Sequence, residues 1–344
     1  MAELRLAAGE NRAVYALDLI GYGLLQWCSS RYRDAHRSAT EGFSIALEAG
    51  DRNPYFNTAY QRATLVLPWC LLFMGEWGEA IRDVKASVAM MNRNGDQFRA
   101  QAVEMFDAWV RLHAMDFEAV SATCQSALRL FKDPVRSAYS RFCLMLKGQA
   151  ETGLGNYERA LEYLSAARDA LDSKTVINTW FLRMHLESAI TDLWLSKGDL
   201  ARARPQAEHS LQIAQAAPDR TWQALAWGAN SKVSMAEGDL KHARVCIAEA
   251  LSRMEGYEVP LAAWRVYATA AEIYERMRDN RSAKHYRKLS CETILKLADS
   301  LPAEEAALRK TFLSAPPISA ILASVPSSKV RNGKPILVSK ERYS

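Results

Sequence analysis

The chain has 344 residues, which is long for one compact core and predicts either two domains or an elongated array. Hydrophobic residues make up 49% of it and charged residues 24%, and its 16 glycines and 11 prolines are too few for a turn-rich β fold, so the composition indicates helices. Most of the net charge of +5 lies after Val325, where five cations accompany one anion; the nearly neutral remainder argues against a broad basic face for nucleic acid.

The six cysteines form no Cys-x-x-Cys pair and no cluster, so we expect small buried side chains in a reducing environment and neither a disulfide scaffold nor a metal site. His242 and Cys246 are four residues apart, but the sequence offers no third ligand beside them. No basic segment precedes an apolar run near the first residue, and the apolar runs are too short to cross a bilayer. These features predict a cytoplasmic protein with no membrane partner.

A six-residue pattern recurs seven times, with a turn residue first, a polar residue second, an aromatic or aliphatic residue third and usually Ala last. Its copies start at residues 30, 75, 115, 155, 198, 238 and 278, so the period is 40–45 residues. Gly-Asn-Tyr-Glu-Arg-Ala at 155–160 is a typical copy. Gly suits the left-handed end of one helix, and Asp or Asn after it can cap the next. Each copy therefore predicts the turn between a helix A and a helix B.

Small and apolar residues recur at fixed distances from the last residue of each copy. Seven residues after it every unit has Gly, Ala or Ser, and the positions four and eight after it are mostly apolar. This spacing corresponds to one face of an α-helix. A small residue also lies twelve positions before it in most units, within the predicted helix A. The two helices of each unit are thus predicted to pack closely.

These small positions, with Gly-Asp/Asn-Tyr/Leu in the turn, resemble the tetratricopeptide repeat over about residues 11–300. The resemblance implies an all-α, right-handed superhelical solenoid of about seven helix-turn-helix repeats, with helices longer than those of the usual unit of about 34 residues. Four residues depart from the pattern, and we expect them to weaken single units without breaking the register. They are Pro68, Val120, Arg278 and Arg287.

Residues 301–325 follow the last repeat and predict a capping helix that starts at Pro302, followed by a Pro-Pro segment. This stretch resembles the closing segment of large bacterial signalling proteins in which an AAA-type ATPase, a nucleotide cyclase, a kinase or a transcriptional regulator precedes a tetratricopeptide-like tail. The chain is therefore divided into a solenoid over 1–300, a cap over 301–325 and a disordered basic tail over 326–344. The first helix is expected near Asn11, which leaves no room for an N-terminal cap and fits a unit that packs on an upstream module.

Catalytic signatures are missing from the sequence. It has no phosphate-binding Gly-x-x-x-x-Gly-Lys-Ser/Thr loop, no Gly-x-Ser-x-Gly elbow and no His-Glu-x-x-His motif. We therefore expect a non-enzyme without cofactor or metal, and any ATPase or cyclase module would act with it as a partner, on the same chain or separately.

The resemblance implies that the stacked A helices line a concave groove and that fixed positions of each helix face it. These positions give the candidate binding residues Arg62, Trp69, Trp109, Gln149, His185, Asp192, Lys232, Arg265 and Glu272. Arg and Trp often dominate binding energy when a partner buries them. The alternative for Trp69 and Trp109 is packing against the next repeat, because Trp is usually well buried.

Two functions remain open from the sequence. In the first, the groove binds a protein, a peptide or a small inducer, and binding regulates a bacterial signalling ATPase, a cyclase or a transcriptional regulator. In the second, the chain is a free-standing adaptor that scaffolds a protein complex. Neither requires direct contact with nucleic acid.

Overall fold

The computed structural model describes residues 12–50, 56–131, 137–173 and 179–324. Over these ranges the chain forms sixteen α-helices and one 3₁₀ turn, with no strand, which confirms the all-α prediction. None of the helices in these ranges is long and apolar enough to cross a membrane. The predicted basic tail at 326–344 and the expected helix start at Asn11 lie outside the described residues.

The first fourteen helices form seven consecutive hairpins, one for each predicted unit, so the prediction of a seven-unit solenoid is confirmed. In chain order they are α1 Arg12–Cys28, α2 Tyr32–Ala49, α3 Phe56–Met74, α4 Trp77–Arg93, α5 Gln97–His113, α6 Phe117–Leu130, α7 Ala138–Gly153, α8 Tyr157–Asp172, α9 Thr179–Lys197, α10 Leu200–Gln215, α11 Arg220–Ala236, α12 Leu240–Met254, α13 Pro260–Arg276 and α14 Asn280–Asp299. Odd-numbered helices are the A helices of units 1 to 7, and even-numbered helices are the B helices. The helix α3 continues through Pro68, so this departure leaves the register intact.

The turn between A and B has the predicted left-handed residue in all seven units. These residues have φ angles from 58° to 86° and are Ser30, Gly75, Met115, Gly155, Gly198, Gly238 and Arg278. The residue after each of them is the N-cap of helix B, and Asp199, Asp239 and Asp279 accept a backbone N–H there through their side chains. The recurring hexamer is therefore a conserved turn geometry within this chain, even in the units where its first residue is not glycine.

The small positions bring the two helices of a unit into contact. A Cβ added to Gly23 would come within 2.9 Å of the Ala35 carbonyl oxygen, which leaves no room for a side chain there. In unit 6 the Ser231 hydroxyl donates to the Ala243 carbonyl across the same junction at 2.8 Å. Close packing of A on B is thus achieved both by the absence of a side chain and by a short polar one.

The A helices of units 1 to 5 direct large aromatic side chains toward one another. We call this cluster the aromatic core; it consists of Trp27, Trp69, Phe73, Phe106, Trp109, Phe142 and Phe181. The Trp27 ring lies 5.1 Å from that of Trp69 and 5.7 Å from that of Phe181, between centroids. Both Trp27 and Trp109 are fully buried. The first part of the concave side is therefore filled by the protein itself.

The first unit meets the sixth unit, so the superhelix closes on itself. The Ser30 hydroxyl donates to Asp219 Oδ1 at 3.1 Å, and the Tyr32 hydroxyl lies 2.5 Å from the Thr221 hydroxyl. Asp219 is fully buried and caps α11 by accepting the N–H groups of residues 221 and 222. We call this junction the closure contact. It joins the turn of unit 1 to the start of the A helix of unit 6.

The predicted C-terminal cap is present, and it is divided into three short pieces. A 3₁₀ turn at Ala303–Glu305 precedes α15 at Ala306–Ser314 and α16 at Pro316–Ala323. Pro302 lies ahead of the turn with an extended ψ of 173°, and Ala315 is extended at ψ 135° because Pro316 disfavours a helical residue before it.

The cap contacts units 2 and 3 as well as unit 7. The Phe312 ring lies 5.1 Å from the ring of Trp77, and the backbone N–H of Trp77 donates to the Ser300 hydroxyl at 3.1 Å. Glu305 forms ion pairs with Lys85 and Arg111. The segment that covers the end of the solenoid therefore also fastens it to an early repeat.

Candidate functional site

The part of the concave side that the aromatic core leaves open is a cavity of about 800 Å³. Its walls come from the A helices of units 3 to 7, and residues of α16 close it on one side. The apolar part of the lining includes Leu112, Leu225, Trp264 and Ile321, and the polar part includes Ser188 and Thr269. The site is a partly enclosed chamber inside the closed solenoid.

Three charged residues of the lining stand on three different A helices, with Asp192 on α9, Lys232 on α11 and Arg265 on α13. Among the residues that the structure describes, none of them has an oppositely charged atom within 4 Å. Burial raises the pKa of Asp192, and Lys232 and Arg265 partly offset this effect. Burial lowers the pKa of Arg265 to about 10, so its guanidinium stays charged at neutral pH.

Other charged groups of the lining are already paired. Glu272 accepts from Arg276 at 2.6 Å, and Glu275 accepts from Arg287 at 2.8 Å. Their charges are neutralised locally, which leaves Asp192, Lys232 and Arg265 to determine the charge that the cavity presents to a ligand. The sum of these three formal charges is +1.

Gln149 and His185 form a polar pair at the boundary between the cavity and the aromatic core. The His185 Nε2 lies 2.7 Å from Gln149 Oε1, and the imidazole stacks on Trp109 with 5.2 Å between centroids. Burial lowers the pKa of His185 to about 3, so the ring is neutral and carries one proton. Because an amide oxygen only accepts, Nε2 donates that proton. The Gln149 oxygen is thereby engaged, and its NH₂ group remains as a donor.

Six of the nine candidate binding residues line this cavity together, and three do not. Gln149, His185, Asp192, Lys232 and Arg265 are in the lining, as is Glu272. Trp69 and Trp109 belong to the aromatic core, where they pack against neighbouring repeats. Arg62 is exposed on α3 and is not part of the lining.

Several lining residues are not among those predicted from the sequence. They include His113, Trp222, Thr269, Arg287 and the α16 residues Pro317, Ala320 and Ile321. His113 is buried, which lowers its pKa well below the usual range. The positional rule for the A helices does not select these residues, and nothing local to α16 indicates that it covers the groove. Trp222 could have been noticed as a further aromatic residue near the start of an A helix.

The described part of the chain contains no group of three or more His, Cys, Asp or Glu side chains arranged to hold a metal ion. His242 Nε2 and Cys246 Sγ are 3.5 Å apart on α12, and neither lines the cavity. All six cysteines are free thiols.

Comparison with known proteins shows the class of fold. No protein-family model matches the chain, and no curated protein matches it either. It is similar to the Rap protein solved as a complex with Competence and Sporulation Factor, at a TM-score of 0.63 and 12% identity over 87% of this chain and 79% of that one. The chain is a solenoid of tetratricopeptide-like repeats.

Two further solved structures are more distant. A tetratricopeptide repeat protein from Parabacteroides merdae has a TM-score of 0.43 at 11% identity, over 87% of this chain and 98% of that one. BtubC from P. vanneervenii has a TM-score of 0.42 at 15% identity, over 65% of this chain and 97% of that one.

Proposed function

We propose that this chain is a ligand-sensing repeat protein of the cytoplasm that takes a short peptide into the cavity and thereby regulates a partner protein. The observation that carries the proposal is the cavity itself, which lies partly enclosed in a solenoid whose first unit touches its sixth. Three charged side chains line it without an ion-pair partner among the described residues. Asp192 is exposed and Lys232 and Arg265 are half-buried, so these charges face the open part of the cavity, where a ligand can reach them. Polar groups that converge in an apolar cavity favour a binding role.

The volume of the cavity indicates a ligand the size of a short peptide. A volume of about 800 Å³ lies within the range of roughly 300–1,000 Å³ that is usual for small-molecule sites. The closure contact and α16 narrow the concave side, which leaves less room for a folded domain than an open groove would. A short peptide suits such a chamber, because Gln149, Ser188 and Thr269 offer hydrogen-bonding groups among apolar neighbours. This argument favours sensing over the adaptor alternative, which needs a groove that accommodates a protein.

The similarity to the Rap protein supports a solenoid that binds a ligand, since that protein was solved in complex with Competence and Sporulation Factor. The partner that this chain would regulate is a bacterial signalling ATPase, a cyclase or a transcriptional regulator, acting in cis or in trans. Support for this part is the likeness of the cap segment at 301–325 to the closing segments of such proteins.

Helix α11 connects the cavity with the closure contact. Lys232 and Trp222 line the cavity from this helix, while Asp219 at its N-terminus holds the turn of unit 1. A ligand that binds Lys232 would therefore shift the position of α11 and, through this helix, change the contact between units 1 and 6. Such differential contacts are what a ligand needs to shift a conformational equilibrium.

The test uses a pool of random pentapeptides with free termini, incubated with the full chain and analysed by mass spectrometry of the retained peptides. The Gly228→Leu variant should abolish retention, because its side chain would project into the cavity. An added Cβ at Gly228 meets only Val266 Cγ2, at an ordinary 3.5 Å, so the helix has room for the first atom of the new side chain. The matched control is Ala248→Leu on the exposed side of α12.

Peptides retained by wild type and by Ala248→Leu, but not by Gly228→Leu, would support the cavity as the binding site. Equal retention by all three proteins, or none by wild type, would contradict the proposed function. Hydrogen exchange of the Ser30 turn with and without a retained peptide would then show whether binding reaches the closure contact.

A further inference from the structure

The A–B turns of the seven units follow one edge of the solenoid, and later units cover the first two of these turns. The turn of unit 1 is buried in the closure contact, where the hydroxyl groups of Tyr32 and Thr221 meet. In unit 2, a Cβ added to Gly75 would come within 2.6 Å of Leu297 Cδ2 from α14. Helices of the later units therefore pack on this edge.

The A–B turns of units 6 and 7 are uncovered. Residues 236–239 and 278–281 are all exposed. A Cβ added to Gly238 would meet nothing within 4 Å, in contrast to one at Gly75. Within the described ranges, the edge that helices cover in units 1 and 2 is thus accessible in units 6 and 7.

Five cations stand on this accessible part of the edge, and we call the surface that they form the open edge. All five are exposed, and in the part of the chain that the structure describes none has a carboxylate within 4 Å. They are Lys241, Arg244, Arg278, Arg281 and Lys284.

The acidic residues of the same two turns are engaged within the fold. Asp239 and Asp279 are the N-caps of α12 and α14, and their side chains accept backbone N–H groups. Glu237 is paired with Arg204. The open edge therefore presents cations to solvent while its carboxylates already have partners.

Three of the cations occupy positions that destabilise the fold. Lys241 and Arg281 lie in the first turns of α12 and α14, where the helix dipole disfavours a positive charge. Arg278 has a φ of 64°, which strains a residue that carries a Cβ. Surface residues that lower stability without a compensating contact in the fold are typical of binding sites, because function rather than folding requires them.

We propose that the open edge binds an acidic helical segment of the partner protein. The inference rests on the proposed function for the existence of that partner, and it specifies the surface that the partner contacts. Helices cover the same edge in units 1 and 2, so its shape suits a helix, and its charge selects an acidic one.

The spacing of the cations also suits a helix. Arg281 and Lys284 are three residues apart on α14 and therefore lie on one face of it. Glu side chains three or four residues apart on a second helix can pair with both of them. Nucleic acid fits this surface less well, because Asp239 and Asp279 lie among the cations and would repel its phosphates.

The experiment measures the binding of labelled alanine-based helical peptides to the full chain by fluorescence anisotropy. One peptide carries a row of Glu along one face, and the other carries the same number of Glu dispersed around the helix. Wild type should bind the first peptide more tightly. The double variant Arg281→Gln with Lys284→Gln should bind it about fivefold more weakly or worse, since two exposed ion pairs are lost.

The matched control removes two exposed cations elsewhere. Arg93 on α4 and Arg129 on α6 are exposed, and neither has a carboxylate within 4 Å among the described residues. The double variant Arg93→Gln with Arg129→Gln should bind the first peptide as wild type does. An equal loss of affinity in this control would mean that net charge alone causes binding and would overturn the inference.

Thermal melts of the same proteins separate binding from folding. Arg278→Gly relieves the left-handed strain and removes a cation, so it should raise the Tm and weaken binding. The Arg281→Gln and Lys284→Gln variant should keep at least the Tm of wild type. A lower Tm for both of these proteins would assign the cations a structural role and overturn the inference.

The remaining outcomes are also decisive. Equal binding of the two peptides, or binding of neither, overturns the inference. Tighter binding of a single-stranded oligonucleotide than of the first peptide at the same salt concentration overturns it as well, in favour of nucleic acid. Gly228→Leu, which obstructs the cavity, should leave the affinity for the first peptide unchanged, so failure of this inference is distinguishable from failure of the proposed function.

Discussion

At the scale of single residues, the A–B turn keeps its left-handed backbone conformation even in units where the residue is not glycine. Ser30, Met115 and Arg278 adopt a left-handed conformation that four other units assign to glycine. For an L-residue this conformation costs roughly 1–2 kcal/mol. The helices on either side force the geometry, because both must end and begin at the same place for the small positions to meet.

Arg278→Gly should stabilise the protein by about 0.5–1 kcal/mol, since relief of the left-handed strain exceeds the greater flexibility of glycine in the unfolded chain. Arg278 is exposed, and no ion pair of its side chain is found among the described residues, so little else is lost. Urea unfolding measures the change. The control Arg278→Ala retains a Cβ at φ 64° and should give no gain; equal stabilisation by both variants would contradict the explanation.

The candidate site was partly predictable at this scale. The spacing rule for A helices selected Gln149, Asp192 and Lys232 because a helix presents the same face at every repeat. The same rule selected Trp69 and Trp109, and those positions are occupied by the aromatic core in the structure. Whether a groove position faces a ligand or another repeat depends on the distance to the A helices on the opposite side of the groove. The sequence of a single unit does not determine that distance.

At the scale of helices, the cap at 301–325 joins unit 7 to unit 2, and we call this junction the clamp. Residue 78, in the first turn of α4, must be glycine for this junction to form. A Cβ there would approach Pro302 Cδ to 2.5 Å and the Ser300 carbonyl oxygen more closely still. The adjacent Trp77 ring packs on Phe312 from α15. Unit 2 and the C-terminal segment therefore pack so closely at residue 78 that their backbones are in contact.

Gly78→Ala should destabilise the protein by about 1–3 kcal/mol, because the clash with backbone outweighs the gain in helix propensity. The matched control is Gly21→Ala in α1, where an added Cβ meets nothing within 4 Å and should stabilise by about 0.5–1 kcal/mol. Urea unfolding gives both values. Faster hydrogen exchange over 303–323 in Gly78→Ala would locate the effect in the cap; stabilisation by both variants would refute the clamp.

At the scale of the whole molecule, the closure contact contains a buried titratable group. Burial raises the pKa of Asp219 from 3.8 to about 7, while hydrogen bonds from the N–H of Trp222 and from Ser30 work against this shift. Cys28 and Tyr32 face the same carboxyl, and their own pKa values are raised mainly by burial and further by Asp219. Among the described residues no cation pairs with Asp219.

The pH dependence of stability follows from the direction of this shift. The pKa of Asp219 is higher in the folded state than in the unfolded state, so the folded state binds the proton more tightly. The contribution of Asp219 to the free energy of unfolding is therefore fully present below about pH 4 and is lost as the pH rises toward 7. Asn cannot ionise, so the stability of Asp219→Asn relative to wild type should increase progressively over this window, by on the order of 4 kcal/mol above pH 7. Urea unfolding from pH 4 to pH 8 measures the difference.

Comparison of the two proteins at each pH cancels the effect of the buried imidazoles His113 and His185, whose lowered pKa values destabilise both proteins in acid. A difference between Asp219→Asn and wild type that stays constant from pH 4 to pH 8 would contradict the assignment.

The sequence by itself determined the helices, the seven units, the turn at each hexamer and the close packing of A on B, because all of these depend on residues a few turns apart. Only the tertiary structure decided that unit 1 reaches unit 6, that the cap reaches unit 2, and that part of the groove is filled by aromatic side chains. The reason is geometric: small rotations between successive repeats accumulate over the solenoid, and their sum fixes which distant residues meet.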